Sequence, residues 1–220
     1  MKKLALLLLL AGTSLLAQTP YTYEVTITNI TRGQIFSPPI AIAHSRGYSM
    51  FKLGVPASEA LAAMAEDGMN GTLADEAAAS DSVYGVATAE GPVMPGHSVT
   101  LTLEIPPSRP MFTVAGMLVS TNDGFFAVNG HMPGGVSFKN GGSTNFGALL
   151  AEAYDAGSEA NNEDCGSIPG PPCGNPGNRV EDGAEGYVSI HAGLSGAGDL
   201  DVGTYDWRSK VAAVTIKLVR

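Results

Sequence analysis

Basic residues are scarce in this chain. Twelve lysines and arginines stand against 21 aspartates and glutamates in 220 residues, a formal net charge of −9. A surface of that sign repels nucleic acid and anionic lipid and attracts divalent cations. Aromatic residues make up only 7% of the chain and tryptophan occurs once, at Trp207. That leaves little material for the aromatic-lined cleft of a glycoside-cleaving enzyme. Long apolar runs are missing beyond the N-terminus, so no later segment reads as a membrane helix. Local zinc spacings are absent too: His44, His97, His131 and His191 are scattered and none belongs to an H-E-x-x-H pattern. Loop or surface roles are expected for them.

The N-terminus has the organisation of a secretory signal. Lys2 and Lys3 form a positive start, Leu4 to Leu16 an apolar stretch, and Ala17 a small residue before Gln18. The apolar run is too short to span a bilayer and is broken by Gly12, Thr13 and Ser14. The expected organisation is a signal peptide over 1–17 and a single domain over 18–220, secreted, periplasmic or on the cell surface, with no membrane insertion after cleavage. Loss of Lys2 and Lys3 takes the 12 basic residues to 10 against 21 acidic ones, a net charge of about −11. In an oxidising compartment Cys165 and Cys173, which bracket "GSIPGPP", read as a disulfide closing a short loop. A loop of that size is worth roughly 2 to 3 kcal/mol in the chain-entropy picture.

Strand patterns dominate the rest. Apolar residues alternate in "YEVTITN" (Tyr23, Val25, Ile27), in "SVTLTLEI" (Val99, Leu101, Leu103, Ile105) and in "AVTIKLV" (Val214, Ile216, Leu218). Period two with polar partners means a strand with one buried face. "MFTVAGMLVS" is nearly all apolar and suits a central strand, with Gly116 as a candidate bulge. "EGYVSIHAG" reads as another, with Val188 and Ile190 inward. One helix is expected in "ASEALAAMAEDG", capped by Ser58 and Gly68, and a shorter one near 74–79. "NFGALLAEAY" fits helix or strand. With 28 glycines and 14 prolines marking many turns, the fold class is all-β, an antiparallel β-sandwich with a short helical insertion.

One stretch concentrates charge. In "AYDAGSEANNEDCG" the acids Asp155, Glu159, Glu163 and Asp164 and the amides Asn161 and Asn162 occur with no lysine or arginine among them. Either the loop is solvated or a cation holds it. A second acidic segment, "STNDGFFAVNG", follows the central strand with Asn122 and Asp123 at its tip. Loops distant in sequence converge at the ends of a sandwich. There, Asp155 and Glu159 could curl around one ion as Asp123 approaches. Calcium suits such a set, taking six to eight oxygens in irregular geometry. Neither loop has EF-hand spacing. Glu163 and Asp164 read as solvent-facing, and Asn122, Asn161 and Asn162 as turn formers.

"GMLVSTNDGFFAVNG", "AYDAGSEANNED", "EGYVSIHAGL" and "YDWRSKVAAVTI", in that order after "ASEALAAMAEDG", resemble the secreted bacterial members of the spondin N-terminal domain family. The resemblance runs over most of 21–219. It implies a C2-like β-sandwich with a calcium ion, Ca2+, on loop carboxylates, placed by correspondence on Asp123, Asp155 and Glu159. The sequence departs at Glu159, where animal members carry aspartate, and at Ser158 in place of threonine. Thrombospondin repeats, which the animal proteins carry, do not occur here.

No catalytic residue is expected. "GLSGA" misses the nucleophile elbow by one residue, and Trp207 reads as a packing residue. The resulting expectation is an exported calcium-binding module for contact with an extracellular protein or glycan. The competing readings are an extracellular hydrolase using the same carboxylates and a metal-free structural surface protein. The triplets at Asn29 and Asn70 match the glycosylation pattern, which is common by chance.

Overall fold

The computed structural model describes residues 19–133 and 144–219. The expected signal peptide at 1–17 lies outside the described residues. Among those described, the strands are β1 (Tyr21–Asn29), β2 (Ile40–His44), β3 (Val83–Thr88), β4 (Ser98–Ile105), β5 (Met111–Met117), β6 (Gly124–His131), β7 (Thr144–Asp155), β8 (Ser189–Ile190) and β9 (Ala212–Leu218). Helices α1 (Glu59–Asp67) and α2 (Asn70–Ala78) separate β2 from β3, and the short α3 (Val202–Tyr205) precedes β9. The antiparallel sandwich is thus the architecture, and α1 and α2 form the expected helical insertion, the second starting earlier than 74; α3 was not expected.

The strands run in the order β3-β2-β5-β6-β7-β9-β1-β4, with β8 added beside β7. The long β7 is the corner of this path. Ala148–Ala151 pair with β9, whereas Glu152–Asp155 pair with β6. One strand therefore joins two sheets that fold face to face, β9-β1-β4 against β3-β2-β5-β6. The alternation in β1 holds: Tyr23, Val25 and Ile27 are buried. They meet Leu101, Leu103, Val214 and Ile216 from their own sheet and Phe112, Val114 and Phe126 from the other. Each such side chain contributes roughly 1.5 to 3 kcal/mol on burial.

The opposite face of β2, β5 and β6 is also covered. Ile40, Ile42, Met117 and Phe125 pack under Leu61, Met64 and Leu73 of the two helices. That is why "MFTVAGM" is apolar on both faces. Helix α1 begins where Ser58 Oγ accepts from Leu61 N at 3.2 Å and ends where Gly68 turns left-handed, its N–H donating to Met64 O.

Three local expectations change. Gly116 is not a bulge: the register irregularity of the β5–β6 pair lies between Phe112 and Val114, opposite Gly130, whose φ of 67° takes up the extra residue. Gly116 instead makes room for the Phe126 ring, whose Cε1 would lie 2.7 Å from an added Cβ. In the 187–191 segment Val188 is buried but Ile190 is 62% exposed, because β8 is only two residues long and joins the sheet at its margin. Nor is His44 at the surface; it is buried in β2, with Nε2 2.9 Å from Thr113 Oγ1. Asn29 and Asn70 are buried too, and both amides hydrogen-bond to backbone carbonyls, so neither triplet offers a free acceptor.

Replacing Gly116 by valine should lower stability by about 1 to 3 kcal/mol through overpacking against Phe126. Chemical denaturation checks this. An unchanged midpoint would show that the ring moves aside freely.

Candidate functional site

Strand register, rather than loop flexibility, brings the acidic residues together. The β5–β6 turn is closed by Thr121, whose Oγ1 donates to Leu118 O at 2.6 Å and accepts from Gly124 N at 2.9 Å. Gly124 then pairs with Asp155 on β7, and Ala156 N donates to Asp123 O at 3.2 Å. Asp123 and Asp155 thus stand on neighbouring chains at one end of the sandwich. Beyond Asp155 the chain reverses at Gly157, with φ of 68° and no room for a Cβ, which would lie 2.3 Å from Tyr187 O. The reversal aims two backbone donors at Asp123: its Oδ2 accepts from Ser158 N at 2.7 Å and Glu159 N at 3.1 Å. Asp155 Oδ1 accepts from Gly157 N at 2.6 Å, and its Oδ2 accepts from Asn161 Nδ2. Glu159 Oε1 accepts from Val180 N at 2.9 Å.

All three acids are buried: 0% exposed for Asp123, 4% for Asp155 and 1% for Glu159. Burial, followed by the charge of Asp155, pushes Asp123 from the ordinary aspartate value of 3.8 to about 7, against the pull of the two backbone N–H groups. Burial and the charge of Glu185 push Asp155 upward as well. Glu159 rises to about 7, again mainly through burial. Among the described residues none of the three forms a salt bridge. Arg179 is engaged by Glu66 at 2.7 Å and Asp67 at 3.0 Å. Most telling is Asp123 Oδ1, which is buried and meets no hydrogen-bond donor among the described residues. A buried, unpaired carboxylate oxygen is costly unless something positive faces it.

The surrounding loops lock this arrangement. Asn122, expected as a turn former, is a buried strut: its Nδ2 donates to Ser167 Oγ at 2.9 Å and Asn162 Oδ1 at 3.1 Å, and its Oδ1 accepts from Glu163 N. Ser167 lies in the loop closed by the disulfide between Cys165 and Cys173, the pairing read from the sequence. That loop also rests on the β5–β6 turn, with Gly170 N donating to Val119 O at 2.7 Å and Ser120 Oγ to Pro171 O at 2.6 Å.

Glu163 is a correction: it is buried rather than solvent-facing. Burial raises its pKa, but donation from Ser195 and Gly196 N–H outweighs this and holds the carboxyl below its usual range. Its negative charge organises the 195–199 loop. His191 also departs from a bland surface role. Burial lowers its pKa to about 4, its Nδ1 accepts from Gly193 N, and its ring meets Trp207 edge-on at 4.9 Å. Trp207 packs against the main core, as read from the sequence.

The arrangement offers a hard cation two buried carboxylates and an unpaired oxygen. Among the described residues, however, no three His, Cys, Asp or Glu side chains are already gathered as a metal-ligand group. Asp155 and Glu159 each direct oxygen at a backbone or amide N–H, and a carboxylate oxygen has a second lone pair for an ion. One contributor was read only as a turn former and another escaped sequence reasoning. Asn161 acts through its bonds to Asp155 and to Glu185 Oε1 at 3.2 Å, and Glu185 adds negative charge beside Asp155 from a segment 30 residues away.

Comparison with protein families matches residues 21–131 to Spondin_N. No curated protein matches the chain. The matched region carries β1 to β6 and Asp123; Asp155 and Glu159 lie beyond it.

The pKa shifts set the sign of a pH effect. Asp123 titrates near 7 when folded and near 3.8 when unfolded. Between those values the folded state holds more protons, so this group makes the metal-free protein less stable as pH rises. Glu159 acts in the same direction. His191, depressed to about 4 from 6.5, acts oppositely between those two values. In chelator at about pH 8, Asp123→Asn should therefore melt several degrees above the parent protein, and the gap should shrink at about pH 5. Calorimetry at the two pH values checks this; a gap independent of pH would contradict it.

Proposed function

The chain belongs to the Spondin_N family, one of non-enzymatic extracellular domains, and on that footing we propose that it is an exported calcium-binding module for contact with an extracellular protein or glycan. The disulfide is in keeping with an oxidising compartment. No helix among the described residues is long and apolar enough to cross a membrane.

The observation that carries the calcium reading is the orphaned, fully buried Oδ1 of Asp123 beside a second buried carboxylate. Asp123 and Asp155 are the pair that would hold the ion, with Glu159 the third acid on the same loop. The remaining oxygen positions would fall to carbonyls and water, as calcium tolerates. An ion there supplies positive charge that offsets the desolvation and mutual repulsion of the carboxylates. Because all three acids are buried, a partner has no direct path to the ion. Its role is structural: it fixes the β5–β6 turn against the 155–164 loop and the disulfide loop, and the outer surfaces of those loops meet the partner.

Calcium in extracellular modules binds at roughly 10⁻⁴ to 10⁻³ M. At about 100 times that Kd it adds about 2.7 kcal/mol, equivalent to a rise of about 5 to 10 °C in melting temperature for a domain of this size. Thermal melting of the mature protein in calcium and in chelator tests this. Asp155→Asn should abolish the shift while leaving the fold intact by circular dichroism. A full shift in that variant, or none in the parent protein, would overturn the reading.

A further inference from the structure

The sheet path does not close. Among the described residues β3 pairs only with β2 and β4 only with β1, so the two end strands face each other across a seam. At one end the seam is shut by side-chain packing: a Cβ on Gly85 would lie 3.1 Å from Ile105 Cγ2. Toward Thr88 and Ser98 it opens into a cleft of about 660 Å³. Its floor is the main core, reached at Val93 and Leu101, which are 3% and 6% exposed. Ala87 and Ala89 form one wall and Val99 part of the other.

We propose that this seam binds an extended peptide segment of a partner protein, which adds as a strand along the free edge of β4. The chemistry of the rim selects that occupant. All eight residues of β4 are in register with β1. In an antiparallel strand about half the backbone N–H and C=O groups point away from that neighbour, and in β4 those groups face the seam. Unpaired strand edges are templates for another strand. About five extended residues span Ser98 to Thr102 at roughly 3.3 Å each. The walls are small on one side and branched on the other, and Thr88 and Thr102 bring hydroxyls to the mouth, whereas those of Ser98 and Thr100 are engaged by Thr28 and Thr26 of β1 at 2.8 Å. These suit alternating β-branched and hydroxylated residues. Among the described residues that line it, Glu90 is present and lysine and arginine are not, so a basic residue on the incoming strand is favoured over an acidic one. A second copy of this acidic chain is disfavoured by charge. The cleft shares no residue with the acidic cluster, and the inference stands independently of the calcium reading.

The probe is a synthetic peptide copying Thr22–Asn29, the strand that already complements β4, with the change E24K and blocked ends. Two further peptides carry N-methyl groups on alternate residues, one in each phase. Fluorescence titration of the mature protein should give saturable binding to the first peptide, weakened about tenfold or more by N-methylation in at least one phase. Amide exchange at Ser98–Thr102 should slow when the peptide is bound. Ala89→Trp, which fills the cleft from a half-exposed wall, should weaken binding similarly; if it does not fold, the methylated peptides decide. Absence of saturable binding up to about 1 mM, or equal binding of all three peptides, overturns the proposal. So does displacement of the peptide by a fatty acid, which would make the cleft a lipid site. Sedimentation as a dimer with β4 amides already protected would assign the seam to a second copy and equally overturn it.

Discussion

Two buried carboxylates forced side by side are the constraint from which the rest of this end of the molecule follows. The pairing of Gly124 with Asp155 leaves Asp123 and Asp155 no freedom to separate without unpicking β6 from β7. Backbone donors from Ser158 and Glu159 satisfy one oxygen of Asp123, and among the described residues none satisfies the other. Around this pair the loops are tied to one another rather than to solvent: Asn122 to the disulfide loop, Asn161 to Asp155, Glu163 to the 195–196 backbone. A charge that burial penalises is thus embedded in a network of neutral donors, an arrangement that favours a cation or a proton over an isolated anion.

The division between a buried acidic centre and accessible surfaces shapes the functional reading. Were the acids exposed, an ion among them would bridge directly to a partner. With all three enclosed, an ion there would act by fixing loop shape, and on the proposed reading recognition would fall to other surfaces, the open seam among them. The helical layer over β2, β5 and β6 has a different effect. It buries the second face of the sheet that carries the β5–β6 turn, so that the turn projects from a support rigid on both sides.

Legibility in the sequence followed the strength of local periodicity. Strands β1, β4 and β9 each have one buried and one solvated face, and their alternation was plain. Helix α1 was legible from its caps, Ser58 and Gly68, and the disulfide from two cysteines in a chain read as exported. Strands β2 and β3 were missed: "IAIAH" is short and buried on both faces, and "VYGVAT" is interrupted by Gly85, so neither alternates. Most of β6 was taken for loop, because "NDGFFAVNG" carries turn residues at both ends. Strand β7 was ambiguous because "ALLAEA" is made of good helix formers, although Leu149, Ala151 and Ala153 alternate toward the main core. In the acidic cluster Asp123, Asp155 and Glu159 were named, and all three are buried at this end of the sandwich, without being gathered as a metal-ligand group among the described residues. The burial of Glu163 and the contribution of Glu185 were not foreseeable, as both depend on how distant loops fold back.

The central claim is that a divalent ion holds Asp123 and Asp155 together. The most direct measurement is a crystal structure of the mature protein grown at about pH 8 with calcium, examined for ordered density beside Asp123 Oδ1. The account expects a calcium ion there with carboxylate oxygens from both residues at about 2.3–2.6 Å. A water molecule in that place, or the two carboxyl groups sharing a proton through a direct hydrogen bond, would contradict it.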